Sequence, residues 1–162
     1  MDPASTLAQL FAAPMRPGTV QWIGLRPARG VAVVAVGAAT LLQSRGLEGD
    51  RYRTSSDGAR QATLIEAESL AAIASYLGRP AIPPELLRRN VVVSGINLLA
   101  LKGRRFRLGA ALLEYSGECH PCSKMEAALG PGGYNAMRGR GGITARVLEG
   151  GTVGLGDEVA AL

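Results

Sequence analysis

The sequence predicts a mainly β, single-domain fold, a barrel with short helices at its periphery, and three observations carry that expectation. Apolar segments are short, rich in Val, Ile, Leu and aromatic residues, and bounded by Gly, Pro or polar residues, as strands are. These segments outnumber the helical ones. The strand–helix alternation of a doubly wound fold is missing. At 162 residues the chain suits one domain with its own core. That domain is expected over residues 18–162, behind an N-terminal extension of residues 1–17.

In chain order, Thr19 to Leu25 and Val31 to Val36 read as the first strands. Thr63 to Gly78 reads as a helix. Thr63 and Glu66 have the spacing of a capping box, and Leu70, Ile73, Ala74 and Leu77 recur at helical spacing. Gly78 then sits where a C-terminal cap belongs. Pro83 and Pro84 open a second, short helix, because a first turn tolerates proline. Val91 to Val93, Phe106 to Leu108 and Ala111 to Tyr115 read as strands, and Ser123 to Gly130 as a short helix entered through Pro121. Ile143 to Leu148, a turn at Gly150 and Gly151, and a strand over Val153 to Ala160 are expected to form a C-terminal hairpin.

Composition narrows the function classes. Hydrophobic residues at 47% and charged residues at 19% exclude a disordered chain. The longest apolar runs are too short to cross a bilayer. The N-terminal stretch carries Asp2 early and lacks a basic n-region, so it does not read as a signal peptide; a cytoplasmic location is expected, with no membrane partner. Net charge is +5, and 16 of the 18 basic residues are arginine. Arginine suits bidentate binding of phosphate or carboxylate, although a GC-rich genome would raise its share as well. The arginines are scattered and aromatics make up only 4%, leaving no base-stacking platform. Nucleic acid is therefore not an expected partner.

The chemistry concentrates in Cys119-His120-Pro121-Cys122, which holds both cysteines and the single histidine. C-x-x-C spacing serves a dithiol oxidoreductase, but the strand–helix frame of such enzymes is absent. A structural zinc site needs four ligands, and the second half of such a set is missing. Two buried, inert cysteines are a third reading. Cys122 is the better-placed sulfur. It opens a helix, with Lys124 two residues on, and both the helix terminus and the lysine favour thiolate. A thiolate is a soft metal ligand. His120 reads as a local hydrogen-bonding residue, and becomes a candidate proton donor if substrate sits over Cys122. Asp50 and Asp157 read as turn or hydrogen-bonding residues, and Asn90 as a helix-capping residue in the absence of a ligand.

The chain resembles the MOSC domain family, named after the C-terminal part of molybdenum-cofactor sulfurases. The resemblance runs from about Gly18 to Val159. It rests on the order of "GLEGDRY", "RQATLIE", "RRNVVVSGINLLALKGRRFRLG", "CHPC" before "SKM", and "GGITARVLEGGTVGLGDEV". It implies a β-rich barrel that binds a pterin-based molybdenum cofactor (molybdopterin) or carries sulfur for it through an essential cysteine. Some members reduce N-hydroxylated bases and amines. The residue matching the family cysteine is Cys122, as metal ligand or persulfide carrier. Arg51, Arg88 and Asn90 match positions that contact the pterin or its phosphate, Arg26 is the nearest match to a further basic position, and Arg60 and Lys124 are candidates of the same kind. No flavin or iron–sulfur motif is visible, so a reductase would need a separate redox partner protein. A sulfur carrier would need a separate pyridoxal-phosphate-dependent cysteine desulfurase. Two alternatives stand beside these: a metal-free dithiol or persulfide carrier using Cys119 and Cys122, and a non-enzymatic cofactor-binding module.

Overall fold

The computed structural model describes residues 1–52 and 57–162. A short helix α1 (Thr6–Ala12), capped by Ser5 and burying none of its residues, precedes the first strand. The order is then β1 (Gly18–Leu25), β2 (Val34–Val36), β3 (Ala38–Leu42), β4 (Gly46–Leu47), β5 (Ala62–Glu66), α2 (Ala67–Tyr76), α3 (Pro84–Leu87) and β6 (Val91–Ser94). After a 3-10 turn at Leu98–Leu101 come β7 (Arg105–Leu108), β8 (Ala111–Glu118), α4 (Ser123–Leu129), α5 (Gly133–Met137), β9 (Ile143–Glu149), β10 (Gly151–Gly154) and β11 (Glu158–Ala161).

Seven strands close into a barrel in the order β1-β6-β5-β9-β8-β7-β11, with β11 returning to β1 through Gly18↔Val159 and Thr19↔Glu158. β2 extends β1 at its far end, and β3, β4 and β10 form a small second sheet. Every barrel pair is antiparallel except β5–β6, which is parallel and bridged by α2 and α3. The expectation of a mainly β barrel with peripheral helices holds.

Period-two alternation divides the core. Leu64, Val91 and Val93 point into the barrel with Ile23, Phe106, Leu113 and Val147. Their neighbours Ile65 and Val92 face outward and pack under α2, α4 and α5 with Ile73, Met125, Leu129 and Met137. β5 and β6 are thus covered on both faces, as a parallel pair needs.

Three expectations change. The helix predicted from Thr63 begins only at Ala67, because Ala62–Ile65 is a strand buried along its whole length. Burial on two faces outweighs the helical spacing, and Thr63 bonds Asn90 instead of capping a helix. The strand predicted over Val31 to Val36 shrinks to Val34–Val36, an edge strand with little burial. The C-terminal hairpin does not form: β10 pairs with β3 and β11 with β7, so neither folds back on β9. The reason lies at Gly151, where a Cβ would sit 2.7 Å from the Ala110 carbonyl carbon. Without a side chain the backbone crosses close over the β7–β8 turn and leaves the barrel wall.

Phe106 is fully enclosed in the barrel. Phe106→Ala is expected to remove about 3–5 kcal/mol of stability, read as a lower urea midpoint with an unchanged slope.

Candidate functional site

Where β1 ends, a network of buried polar groups gathers four segments. Asp50 has a relative exposure of 1%. It accepts from the Arg26 backbone N–H (2.8 Å), Arg26 Nε (3.1 Å) and Nη2 (2.7 Å), and from Asn90 Nδ2 (3.1 Å). Asn90 Nδ2 also donates to the Gly24 carbonyl, while its Oδ1 accepts from the backbone N–H and hydroxyl of Thr63. Every hydrogen-bonding position of that amide is used. Asn90 therefore holds the site together from inside, and its side chain caps no helix. Burial pushes the Asp50 carboxyl up, but the hydrogen bonds and charge of Arg26, with the Tyr52 N–H, outweigh it and hold the pKa below its ordinary value.

On this base Arg26, Arg51, Tyr52, Arg60 and Thr63 line a hollow of about 380 Å³. Arg51 and Arg60 are exposed. Arg88 stands beside the hollow rather than in its wall. It ends α3 in the left-handed conformation (φ 57°). Its guanidinium donates to the carbonyls of Val31 (2.6 Å) and Ala28 (3.3 Å). Burial, then the charges of Arg26 and Arg51, lower its pKa from the ordinary arginine value, so these cations feel one another.

The cysteine turn is built by β8 running into α4. Glu118 is the last paired residue of β8, opposite Ile143, and the Cys119 N–H donates to the Gly142 carbonyl (2.8 Å). Gly141 runs so close beneath that a Cβ there would lie 1.9 Å from the Cys119 carbonyl oxygen; no side chain fits. Cys119 is buried and Cys122 exposed. Cys122 is the extended residue before α4, its carbonyl accepting from Met125 and Glu126 N–H, and Met125 and Leu129 anchor the helix in the outer core. Lys124 is exposed on α4. His120 is exposed, its Nε2 3.7 Å from Glu118 Oε2. Among the described residues no three His, Cys, Asp or Glu side chains cluster as for a metal ion.

Arg89 was not singled out by the sequence, and it lies between these two regions. Its Nε donates to the Gly141 carbonyl (2.9 Å) and its Nη1 to that of Leu87 (2.9 Å). Burial lowers its pKa, the Cys119 and Cys122 thiols act in the opposite sense, and the charges of Arg60 and Arg26 add to the lowering. One guanidinium thus ties the backbone beneath the cysteine turn to the end of α3. The "RRN" motif was the signal. Its middle residue is the one that turns toward the cysteine segment, while Arg88 and Asn90 face the hollow's supports.

A family model described as the MOSC domain matches residues 47–160. The chain belongs to the MOSC domain family. Its fold is also that of solved structures. The YUAD protein from Bacillus subtilis superposes with a TM-score of 0.77 at 23% identity, over 89% of this chain and 94% of that one. YiiM from Geobacillus stearothermophilus gives 0.71 at 16%, over 90% and 75%. YiiM from Escherichia coli gives 0.67 at 20%, over 89% and 69%. No curated protein matches the sequence. The family is associated with molybdenum-cofactor binding and sulfurase-like function.

In this MOSC domain the predicted residues fall into two groups. Arg26, Arg51 and Arg60 share the hollow, with Arg88 and Asn90 supporting it. Cys122, His120 and Lys124 share the segment after β8. A second and larger cavity, of about 830 Å³, meets that segment at Cys119, His120 and Pro121.

The pH dependence of the network has a definite sign. The folded pKa of Asp50 lies below its unfolded value, so its contribution is complete above that value, about 3.9, and is lost as pH falls through the folded pKa. Asp50→Asn is expected to be less stable than the parent at neutral pH. Its stability should fall less on acidification from about pH 5 to pH 2, measured by urea unfolding across that range.

Proposed function

We propose that this MOSC domain binds a molybdenum–pterin cofactor, with its phosphate at the arginine hollow and Cys122 as the sulfur ligand. The observation that supports the reading is the place of the Arg89–Asn90 pair: Arg89 is bonded to the Gly141 carbonyl beneath the cysteine turn, and the next residue, Asn90, is bonded to Asp50 at the base of the hollow. The donor set fits such a group. Arg26, Arg51 and Arg60 line one concavity, and guanidinium groups bind phosphate through paired, charge-assisted hydrogen bonds. The exposed thiol of Cys122 is a soft donor suited to molybdenum.

When bound, the cofactor supplies two-electron redox chemistry, which suits reduction of N-hydroxylated small molecules. The chain's own residues then have distinct tasks. Arg51 and Arg60 hold phosphate. Asp50 and Asn90 fix the direction of Arg26 and act as positioning residues. Arg88 secures the loop at Ala28–Val31 that borders the hollow. Arg89 holds the Gly141 backbone in place beneath the cysteine turn. With substrate over Cys122, His120 of the same turn gives a proton to a leaving hydroxyl. Electrons come from a separate redox protein.

A sulfur-carrier reading is favoured by a second thiol three residues away on the same turn. Cys122 would attack the outer sulfur of the persulfide on a pyridoxal-phosphate-dependent desulfurase, freeing that enzyme's thiolate, and Cys119 would then attack the Cys122 sulfur, forming a disulfide as the outer sulfur leaves as hydrosulfide for the acceptor.

Metal analysis and pterin fluorescence on protein made with the cofactor pathway active test the first reading. Cys122→Ser is expected to lose molybdenum, and Cys119→Ser to keep it. Arg51→Ala combined with Arg60→Ala should weaken cofactor retention by at least about a hundred-fold, the loss of two charge-assisted contacts. Molybdenum content unaffected by Cys122→Ser removes the ligand assignment. In that case, incubation with a desulfurase and cysteine should add about 32 Da, one sulfur atom, to Cys122. Unchanged mass excludes the carrier role.

A further inference from the structure

The larger cavity sits at the barrel end where β5, β6 and β8 finish and β9 begins. Among the described residues it shares no lining residue with the arginine hollow, and at about 830 Å³ it falls in the usual range of small-molecule sites. Its wall carries charges of both signs. Glu66, Glu68 and Glu118 contribute carboxylates, and Arg138 and Arg140 contribute guanidiniums. Among the described residues, no ion pair joins either arginine to any of those three carboxylates.

The carboxylates near β6 are anchored elsewhere. Glu66 Oε1 accepts from the Leu98 N–H (3.0 Å) and its Oε2 from the Ser69 hydroxyl (2.9 Å), while Glu68 Oε1 accepts from the Gly95 N–H (2.7 Å). Each carboxylate keeps acceptor sites beyond these bonds. Arg138 and Arg140 stand on the loop that feeds β9, where Arg140 Nη2 reaches the Tyr76 hydroxyl at 3.5 Å. Apolar surface comes from Ile96, Leu98, Leu99 and Ile143. Glu118 lies near His120 of the same wall, so the cavity offers two carboxylates anchored on backbone N–H or hydroxyl groups, Glu66 and Glu68, and two exposed guanidiniums, with apolar surface beside them.

We propose that this cavity binds a small zwitterion of amino-acid to tripeptide size, its ammonium held by Glu66 and Glu68 and its carboxylate by Arg138 and Arg140. A guanidinium takes a carboxylate bidentately, and an ammonium offers three donors to carboxylates. A purely cationic ligand would leave the arginines against like charge, and a purely anionic one would do the same for the glutamates. The inference needs no cofactor and stands apart from the reading of the arginine hollow.

Isothermal titration calorimetry on the full chain tests it with the dipeptide alanyl-leucine, its N-acetyl form and its C-terminal amide. The dipeptide is expected to bind, and each blocked form to bind at least about ten-fold more weakly, as loss of a charge-assisted contact implies. Glu68→Gln should weaken the dipeptide and the amide about ten-fold and leave the N-acetyl form unchanged. Arg140→Ala should weaken the dipeptide and the N-acetyl form and leave the amide unchanged. Both residues are exposed, and circular dichroism confirms that each variant folds. Absence of binding by all three compounds overturns the proposal. So does equal binding of all three, or dipeptide binding indifferent to both substitutions.

Discussion

A single carboxylate, almost wholly removed from water, organises one end of this barrel. Asp50 binds the backbone and the side chain of Arg26 and receives the Asn90 amide, which in turn holds Gly24 and Thr63. An ionised group at that depth is tolerated only because it is paired and hydrogen-bonded on both oxygens. The arrangement has a functional corollary. Arg26 is fixed by Asp50 and much of its charge is compensated, so the excess positive charge of the hollow comes from Arg51 and Arg60. The rigid arginine sets the shape of the hollow, and the two exposed ones carry charge that no ion pair among the described residues compensates.

The two cysteines, separated by two residues, have opposite environments. Cys119 is pinned by Gly142 and closed over by Gly141, whereas Cys122 is released where α4 begins. Their difference follows from the end of β8. Pairing with β9 continues to Glu118↔Ile143, the next residue still belongs to the sheet edge, and Pro121 then turns the chain out. Arg89 completes the picture as a charge carried in on the segment between α3 and β6. Because Arg88 takes the left-handed conformation, two successive arginines diverge. One ties down the Ala28–Val31 loop, and the other binds Gly141 beneath the cysteine turn.

Strands whose partners lie next to them in sequence were legible: Phe106–Leu108 and Ala111–Tyr115 stand within Arg105–Leu108 and Ala111–Glu118, joined by a tight turn. β5 was not, because "TLIEAESL" satisfies a helical period as well as a buried strand, and only its place between β6 and β9 decides the matter. The hairpin failed for a related reason. Gly150 and Gly151 have the composition of a turn, yet their lack of side chains serves a close crossing over Ala110. At the site, residue types were readable and roles less so. Arg26, Arg51 and Arg60 do converge, but Asn90 is spent entirely on protein partners, and the part played by Arg89 depends on a burial that no local pattern announces. The opposing charges of the larger cavity come from three regions of sequence, Glu66 to Glu68, Glu118 and Arg138 to Arg140, so only the closed barrel assembles them.

Closure itself depends on a narrow seam. β1 meets β11 through two paired positions, supported by the Val20 N–H on the Asp157 carbonyl and the Gly156 N–H on that of Val20. The first barrel strand thus finds one of its neighbours at the far end of the chain. Without β11, both β1 and β7 would present an unpaired edge, and such edges are templates for pairing with another chain. The last strand is therefore the piece that removes two edges at once.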